Sequence, residues 1–219
     1  DIMVTVKDTG ADVFGETERL REIPGVENVI TYQKAMAKRL ITEEELSEEM
    51  KANGGFSHDY GKQVTQADGG FLVSAPIVIL DDESFLAYCE QIGAPIRTDG
   101  AVIWNRIRDV TDSDFRHPRY MPYIRECQTT ALLAQTDGAE DEKMPVSDDT
   151  DMVEIPVLDC TEEVPALREE YASLDPYELV HFVPSSLWEE IGASIGGAEK
   201  ETFIRILAGE GVSLEELET

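Results

Sequence analysis

Ile77-Val78-Ile79-Leu80-Asp81-Asp82-Glu83-Ser84-Phe85-Leu86-Ala87-Tyr88-Cys89 is the stretch that decides the fold. Four β-favouring residues run straight into an Asp-Asp pair, and apolar side chains then recur at Phe85, Cys89 and Ile92 until Gly93. An apolar run, an aspartate cap, an amphipathic segment and a glycine stop spell a strand followed by a helix. Ala101-Val102-Ile103-Trp104 supplies the closing strand. The chain opens with the same grammar. Ile2-Met3-Val4-Thr5-Val6 reads as a strand, a helix carries Leu20 and Ile23 on one side, Pro24-Gly25-Val26 breaks it, and a strand runs through Val29-Ile30-Thr31-Tyr32. Two such units predict an α+β fold in which two βαβ units form a ferredoxin-like core.

Working outward, Thr42-Glu43-Glu44-Glu45 is a capping box that predicts a helix with Leu46 and Met50 inward, ending near Asn53-Gly54-Gly55. The Gly-rich stretch from Gly54 to Gly70 reads as a loop or short hairpin. Residues 1–107 thus form the N-terminal part of the core, with an insertion at about 41–74. Residues 108–150 lose periodicity, contain Pro118 and Pro122, and carry acidic runs at Asp137–Glu142 and Asp148–Asp151. They read as an irregular insertion packed beside the core. Residues 151–219 complete the core. Met152–Leu158 alternates as a strand that Pro156 assigns to an edge, and Val180–Pro184 is a second strand. Ser186-Leu187-Trp188-Glu189 caps a helix through Ile191 and Ile195, Thr202–Leu207 is a strand, and Ser213-Leu214-Glu215-Glu216 caps a further helix. A start directly on a strand suits a fragment of a longer protein or a processed secreted one, and an end within a helix suggests an excised domain.

The chain has 219 residues, 42% hydrophobic and 29% charged, a composition that can bury a sizeable core. Its longest apolar stretch falls far short of the roughly 20 residues that cross a bilayer. Eighteen basic against 46 acidic residues give a formal net charge of −28. Such a surface repels nucleic-acid phosphates and anionic lipid headgroups while attracting cationic peptides or divalent cations, and an acidic coat that keeps an exposed domain in solution is its plainest meaning. Three cysteines, Cys89, Cys127 and Cys160, are too few and too scattered for a disulfide scaffold. Cys89 shares a helix face with Phe85 and Ile92 and reads as core. A Cys127–Cys160 bridge is compatible with an oxidising compartment, and the spacing leaves the pairing open.

Motifs for catalysis and cofactors are not legible. Ser57-His58-Asp59 lists triad residue types consecutively, but adjacent side chains diverge and cannot act as nucleophile, base and orienter. The acidic runs lack the alternation and distal Glu of a calcium loop, and no CxxC spacing suggests zinc. Gly54-Gly55 and Gly69-Gly70 do not form a phosphate cradle. Hence no catalytic residue, metal or cofactor is expected. His181, between Val180 and Phe182, reads as a structural histidine. One anomaly stands against the acidic background: Arg106, Arg108, Arg116, Arg119 and Arg125 gather around His117, Tyr120 and Tyr123. Internal pairing with the abundant carboxylates is the simpler account. The sharper one is a partner-binding surface built on Arg116, Arg119, Tyr120 and Tyr123, since arginine and tyrosine together suit carboxylates or phosphates beside flat apolar groups.

Asp1-Ile2-Met3-Val4-Thr5-Val6, followed after a helix by Ile23-Pro24-Gly25-Val26-Glu27-Asn28-Val29, resembles the start of the extracytoplasmic domain of FtsX/MacB-type ABC-transporter permeases. Val78–Tyr88 with Ala101–Asn105, and Val180–Ser186 before its helix, are similar to later segments of the large Gram-positive members. Residues 108–150 have no counterpart. The resemblance implies a porter-like core with a variable second lobe, held outside the cell at the membrane between two membrane helices of a dimeric permease driven by a cytoplasmic ATPase. It also implies a non-enzymatic role in export, peptide resistance or signalling, with a peptide, lipoprotein or cell-wall factor as partner. A secreted or surface-anchored binding module is the first rival reading, and an enzyme with a site of scattered carboxylates the second.

Overall fold

The computed structural model describes residues 2–7, 12–57, 64–109, 119–135, 152–163, 165, 178–196, 198–213 and 215, with backbone only at 108, 109 and 198–200. The acidic runs between 137 and 151 lie outside the described residues, as do Leu214 and residues 216–219 of the last expected helix. The chain begins with β1 (Ile2–Lys7), α1 (Val13–Arg21), β2 (Val26–Ala35) and β3 (Ala37–Ile41). A short 3-10 turn at Glu43–Glu45 leads to α2 (Glu48–Ala52), β4 (Thr65–Ala67), β5 (Gly70–Ser74) and β6 (Ile77–Leu80). Next come α3 (Asp82–Ile92), β7 (Ala101–Trp104), β8 (Ile107–Asp109), β9 (Arg119–Met121) and β10 (Thr130–Gln135). The remainder is β11 (Met152–Thr161), β12 (Val180–Pro184), α4 (Ser185–Ile195) and β13 (Ala198–Ala208).

All strands except the β8–β9 hairpin join one large mixed sheet, which curls until it meets itself. β2 and β3 form an almost continuous strand, as do β5 and β6, and the two make one antiparallel ribbon. Its register is unbroken from Tyr32↔Leu80 through Ala35↔Ile77 and Lys38↔Ser74 to Ile41↔Phe71. From β6 the ladder passes to β12, β7, β11 and β10. β10 then pairs with β3 through Leu133↔Arg39 and Gln135↔Ala37 and returns the ladder to the ribbon. Six strand paths therefore close into a small barrel, and β13 and β1 extend the ribbon outward as a flap along β2. Closure leaves no unpaired edge within the ring of described strands.

Two faces follow from the two-residue alternation of strands. One carries Ala35, Ala37, Ile77, Ile79, Ala101, Ile103, Leu133 and Ile155 into the main core, and α4 lays Leu187, Ile191 and Ile195 on it. The other face carries Ile30, Tyr32, Val78, Leu80, Val102 and Phe182 and is covered by Phe85, Tyr88 and Cys89 of α3. The ends of α3 are as the sequence spells them. Asp81 accepts from Ser84 N at 2.9 Å as N-cap, and Gly93 closes the helix in the left-handed region at φ 73°. Asp81 also accepts from Arg21 Nη2 at 2.7 Å and Thr31 N at 2.9 Å, so one carboxylate ties α1, β2 and α3 together.

Several expectations are corrected. β1 and β2 run parallel with β13 between them, a split βαβ unit, because both are antiparallel to β13. β6 and β7 likewise flank β12, but β12 is parallel to one and antiparallel to the other. The second strand–helix–strand segment is therefore not a βαβ unit. Pro156 does not mark an edge, since β11 pairs on both sides. Val157 N donates to Thr129 O on the β10 side, so the position of the missing Pro156 N–H faces β7 just where that ladder has not yet begun. The helix expected from Thr42 to Asn53 splits into the 3-10 turn and α2, which has its own cap in Ser47 Oγ, the acceptor from Met50 N at 3.0 Å. Residues 119–135 belong to the core: β10 is a barrel strand, and Met121, Tyr123, Ile124, Ala131 and Leu133 are buried.

Candidate partner-binding surface

The β8–β9 hairpin leaves the barrel at the end of β7, and its root is held by one side chain. Asn105 Oδ1 accepts from Tyr123 N at 2.8 Å and Ile124 N at 2.9 Å, while its Nδ2 donates to Ile124 O at 2.9 Å. An amide matches this triple demand because it offers an acceptor and donors on one planar group. From the other side Ser47 Oγ donates to Pro122 O at 2.6 Å, Ser47 N to Tyr123 O at 3.0 Å and Arg125 N to Glu45 O at 2.8 Å. A disulfide between Cys127 and Cys160, with Cα atoms 5.5 Å apart, then fixes the chain to β11. Cys89 remains a buried thiol, its pKa pushed up by burial.

On this root the hairpin presents Arg106, its guanidinium 4.1 Å from the ring centroid of Tyr120, which is 46% exposed. Alternation separates the residues that the sequence groups together. Tyr120 pairs with Arg108, whereas Arg119 and Met121 pair with Asp109 and Ile107. Arg119 and Tyr120 thus point to opposite sides of the hairpin, both exposed. Tyr123 is 1% exposed and packs in the main core, where burial raises its hydroxyl pKa far above the ordinary range. Its ring is unavailable to a partner. Arg116 and His117 lie outside the described residues. Among the described residues no carboxylate lies within ion-pairing distance of Arg106 or Arg119, and Arg125 makes only a long contact of 3.7 Å with Glu126.

A second polar group sits inside the barrel. Arg39 follows Ala35 and Ala37 on the inward face at 1% exposure and meets His181, which is fully buried. Its Nη1 lies 3.3 Å from His181 Nε2, and His181 Nδ1 lies 2.7 Å from Leu179 O. A guanidinium only donates, so Nε2 accepts and the proton resides on Nδ1, which donates to Leu179 O. Burial, reinforced by Arg39 and opposed by the bond to Leu179, lowers the His181 pKa to about 3. Burial also lowers that of Arg39 to about 10 against the pull of Glu45. Arg39 Nε has no hydrogen-bond partner among the described residues. Ala35, Ala37, Ala75, Ala101 and Ala131 are small and buried, and leave room for this long side chain.

Sequence reasoning missed Asn105 and Arg39. Asn105 follows an apolar strand as any turn residue would, and its partner Tyr123 lies 18 residues away. The signal for Arg39 is the two-residue rhythm Ala35, Ala37, Arg39, Ile41, which marks a common face without saying that it points inward. His58 and Asp59 lie outside the described residues. Among those described, no three His, Cys, Asp or Glu side chains gather to hold a metal ion, and no helix is long and apolar enough to cross a membrane. No family model, curated protein or solved structure matches the chain.

Proposed function

We propose that this chain is an extracytoplasmic domain of an FtsX/MacB-like ABC-transporter permease, acting by binding and conformational coupling without a catalytic step of its own. The observation that carries the reading is the pairing of Ile2 with Ile206. The first strand enters and the last strand leaves at the same end of one ladder, and beyond it Gly209 N donates to Gly25 O at 2.9 Å. A domain threaded between two membrane helices needs its entry and exit side by side. The Cys127–Cys160 bridge supports the reading, because disulfides persist outside the reducing cytosol. In this view the split βαβ unit of β1, α1, β2 and β13 is the porter-like part, and the barrel stands beside it. A cytoplasmic ATPase and a second permease subunit act through the membrane part, and movement of the two chain ends is passed to the rigid barrel. The anchored hairpin is the surface offered to a peptide, lipoprotein or cell-wall factor.

The test is the parent reading frame, combined with labelling of a Glu189→Cys variant, an exposed helix position. Apolar segments of about 20 residues on both sides, with the introduced thiol modified by a membrane-impermeant maleimide in intact cells, are the expected results. A cleavable leader before the domain and a stop or wall anchor after it would replace the permease with a secreted or surface-anchored binding module.

A further inference from the structure

We infer that the Tyr120 side of the β8–β9 hairpin binds an isolated carboxylate on a basic or near-neutral polypeptide, with Arg106 as its receptor. This deepens the partner role given to the hairpin above but does not require the domain to be membrane-anchored. The Arg106 guanidinium lies over the exposed ring of Tyr120, 4.1 Å from its centroid. No described residue takes up the N–H donors of this guanidinium, and a guanidinium takes a carboxylate through two parallel hydrogen bonds. The contact with the ring also holds a side chain that otherwise loses much rotamer freedom on binding. The hairpin beneath is held by the Asn105 bonds, the Ser47 bonds and the disulfide, so the receptor stands on an ordered support. In a chain with 46 acidic and 18 basic residues, an arginine without a carboxylate partner among the described residues runs against composition.

The rest of the surface selects the partner. A net charge of −28 repels any polyanion as it approaches, so a phosphate-rich polymer or a strongly acidic protein meets a long-range barrier that one or two arginines do not offset. A basic or neutral polypeptide is drawn in or left unhindered, and its single Asp, Glu or terminal carboxylate then finds Arg106.

The experiment is selection from a random 12-residue peptide display library against the intact domain, with Arg106→Gln as counter-target. Arg106→Lys keeps the charge but loses the planar fork, and circular dichroism checks that both variants fold. Binders that need Arg106 are expected to share one carboxylate in a basic or neutral background. They should bind the Gln variant at least about tenfold more weakly, the loss of a charge-assisted pair, and Lys should restore only part of this. Amidated twins of the binders distinguish a side-chain from a terminal carboxylate. Failure to recover Arg106-dependent binders, binders without a carboxylate, or displacement by inorganic polyphosphate stronger than by the peptides would each overturn the inference. None of these outcomes bears on the flanking membrane spans, so the permease reading stands or falls separately.

Discussion

Removing the bridge by Cys127→Ser together with Cys160→Ala leaves one thiol, the buried Cys89, and removes the covalent tie between the hairpin root and β11. The cost follows from the loop that the bridge closes. Cys127 and Cys160 are separated by 33 positions. The loop-entropy relation gives about 3 kcal/mol for a loop of about 15 residues and about 4.7 kcal/mol for one of about 100, so this bridge contributes about 4 kcal/mol at 25 °C. For a chain of this length each kcal/mol moves the midpoint by about 2–4 °C, so the variant should melt about 8–16 °C lower. Domains have about 5–15 kcal/mol in hand, and the Asn105 and Ser47 bonds still root the hairpin. The variant is therefore expected to fold at 25 °C with an unchanged far-ultraviolet spectrum. Urea unfolding by fluorescence, run beside wild type with and without reductant, gives the number. Thiol titration of the denatured, unreduced wild type should find a single reactive group. Three thiols there, or a loss below about 1 kcal/mol with an unchanged m-value, would refute the reasoning.

His181 is neutral in the fold with a pKa of about 3, against about 6.5 in the unfolded chain. The unfolded state binds the extra proton between these values. The contribution of His181 is thus complete above about pH 6.5 and is lost as pH falls toward 3, at up to about 1.4 kcal/mol per pH unit. In paired urea titrations from pH 7 to pH 4, His181→Gln should lose less stability than wild type; parallel curves would contradict this. Arg39→Ala, which truncates one of the largest fully buried side chains among the described residues, should cost about 3 kcal/mol or more. Arg39→Met fills similar volume but leaves the buried His181 Nε2 without its donor, and should still cost about 1–3 kcal/mol by the same denaturation assay. Asn105→Ala removes three hydrogen bonds at the hairpin root and should cost about 2 kcal/mol, with faster amide exchange at Tyr123 and Ile124 than elsewhere.

Local chemistry is legible at some helix ends and not at others: Ser186, expected to cap α4, lies inside it, and the cap position falls to Pro184, which offers no side-chain bond. Asp81 and Gly93 bound α3 as written, and Ile77–Leu80, Ala101–Trp104 and Val180–Pro184 are strands. Strand direction is not legible. Whether β7 returns parallel or antiparallel to β6 depends on β12, whose Phe182 pairs with Val102 from 80 positions away. Barrel closure rests on Leu133↔Arg39, two residues 94 positions apart, and no local pattern announces it. Proline misled at Pro156 because the rule counts a missing N–H without knowing whether a neighbour asks for it. At the candidate surface the sequence grouped Arg119, Tyr120 and Tyr123 by proximity. The two-residue alternation of β9 and the burial of Tyr123 then sent them three ways.

The pairing of Ile2 with Ile206 also sets how the domain answers to force. Two neighbouring antiparallel strands pulled apart from their shared end part like a zipper, with rungs breaking in turn from Ile2 toward Lys7 under modest load. The barrel is closed by its own ladder and lies outside that line of tension. A tug strong enough to break these rungs therefore peels β1 from β13 and leaves the ring paired, whereas a displacement below that load carries the barrel along as one body.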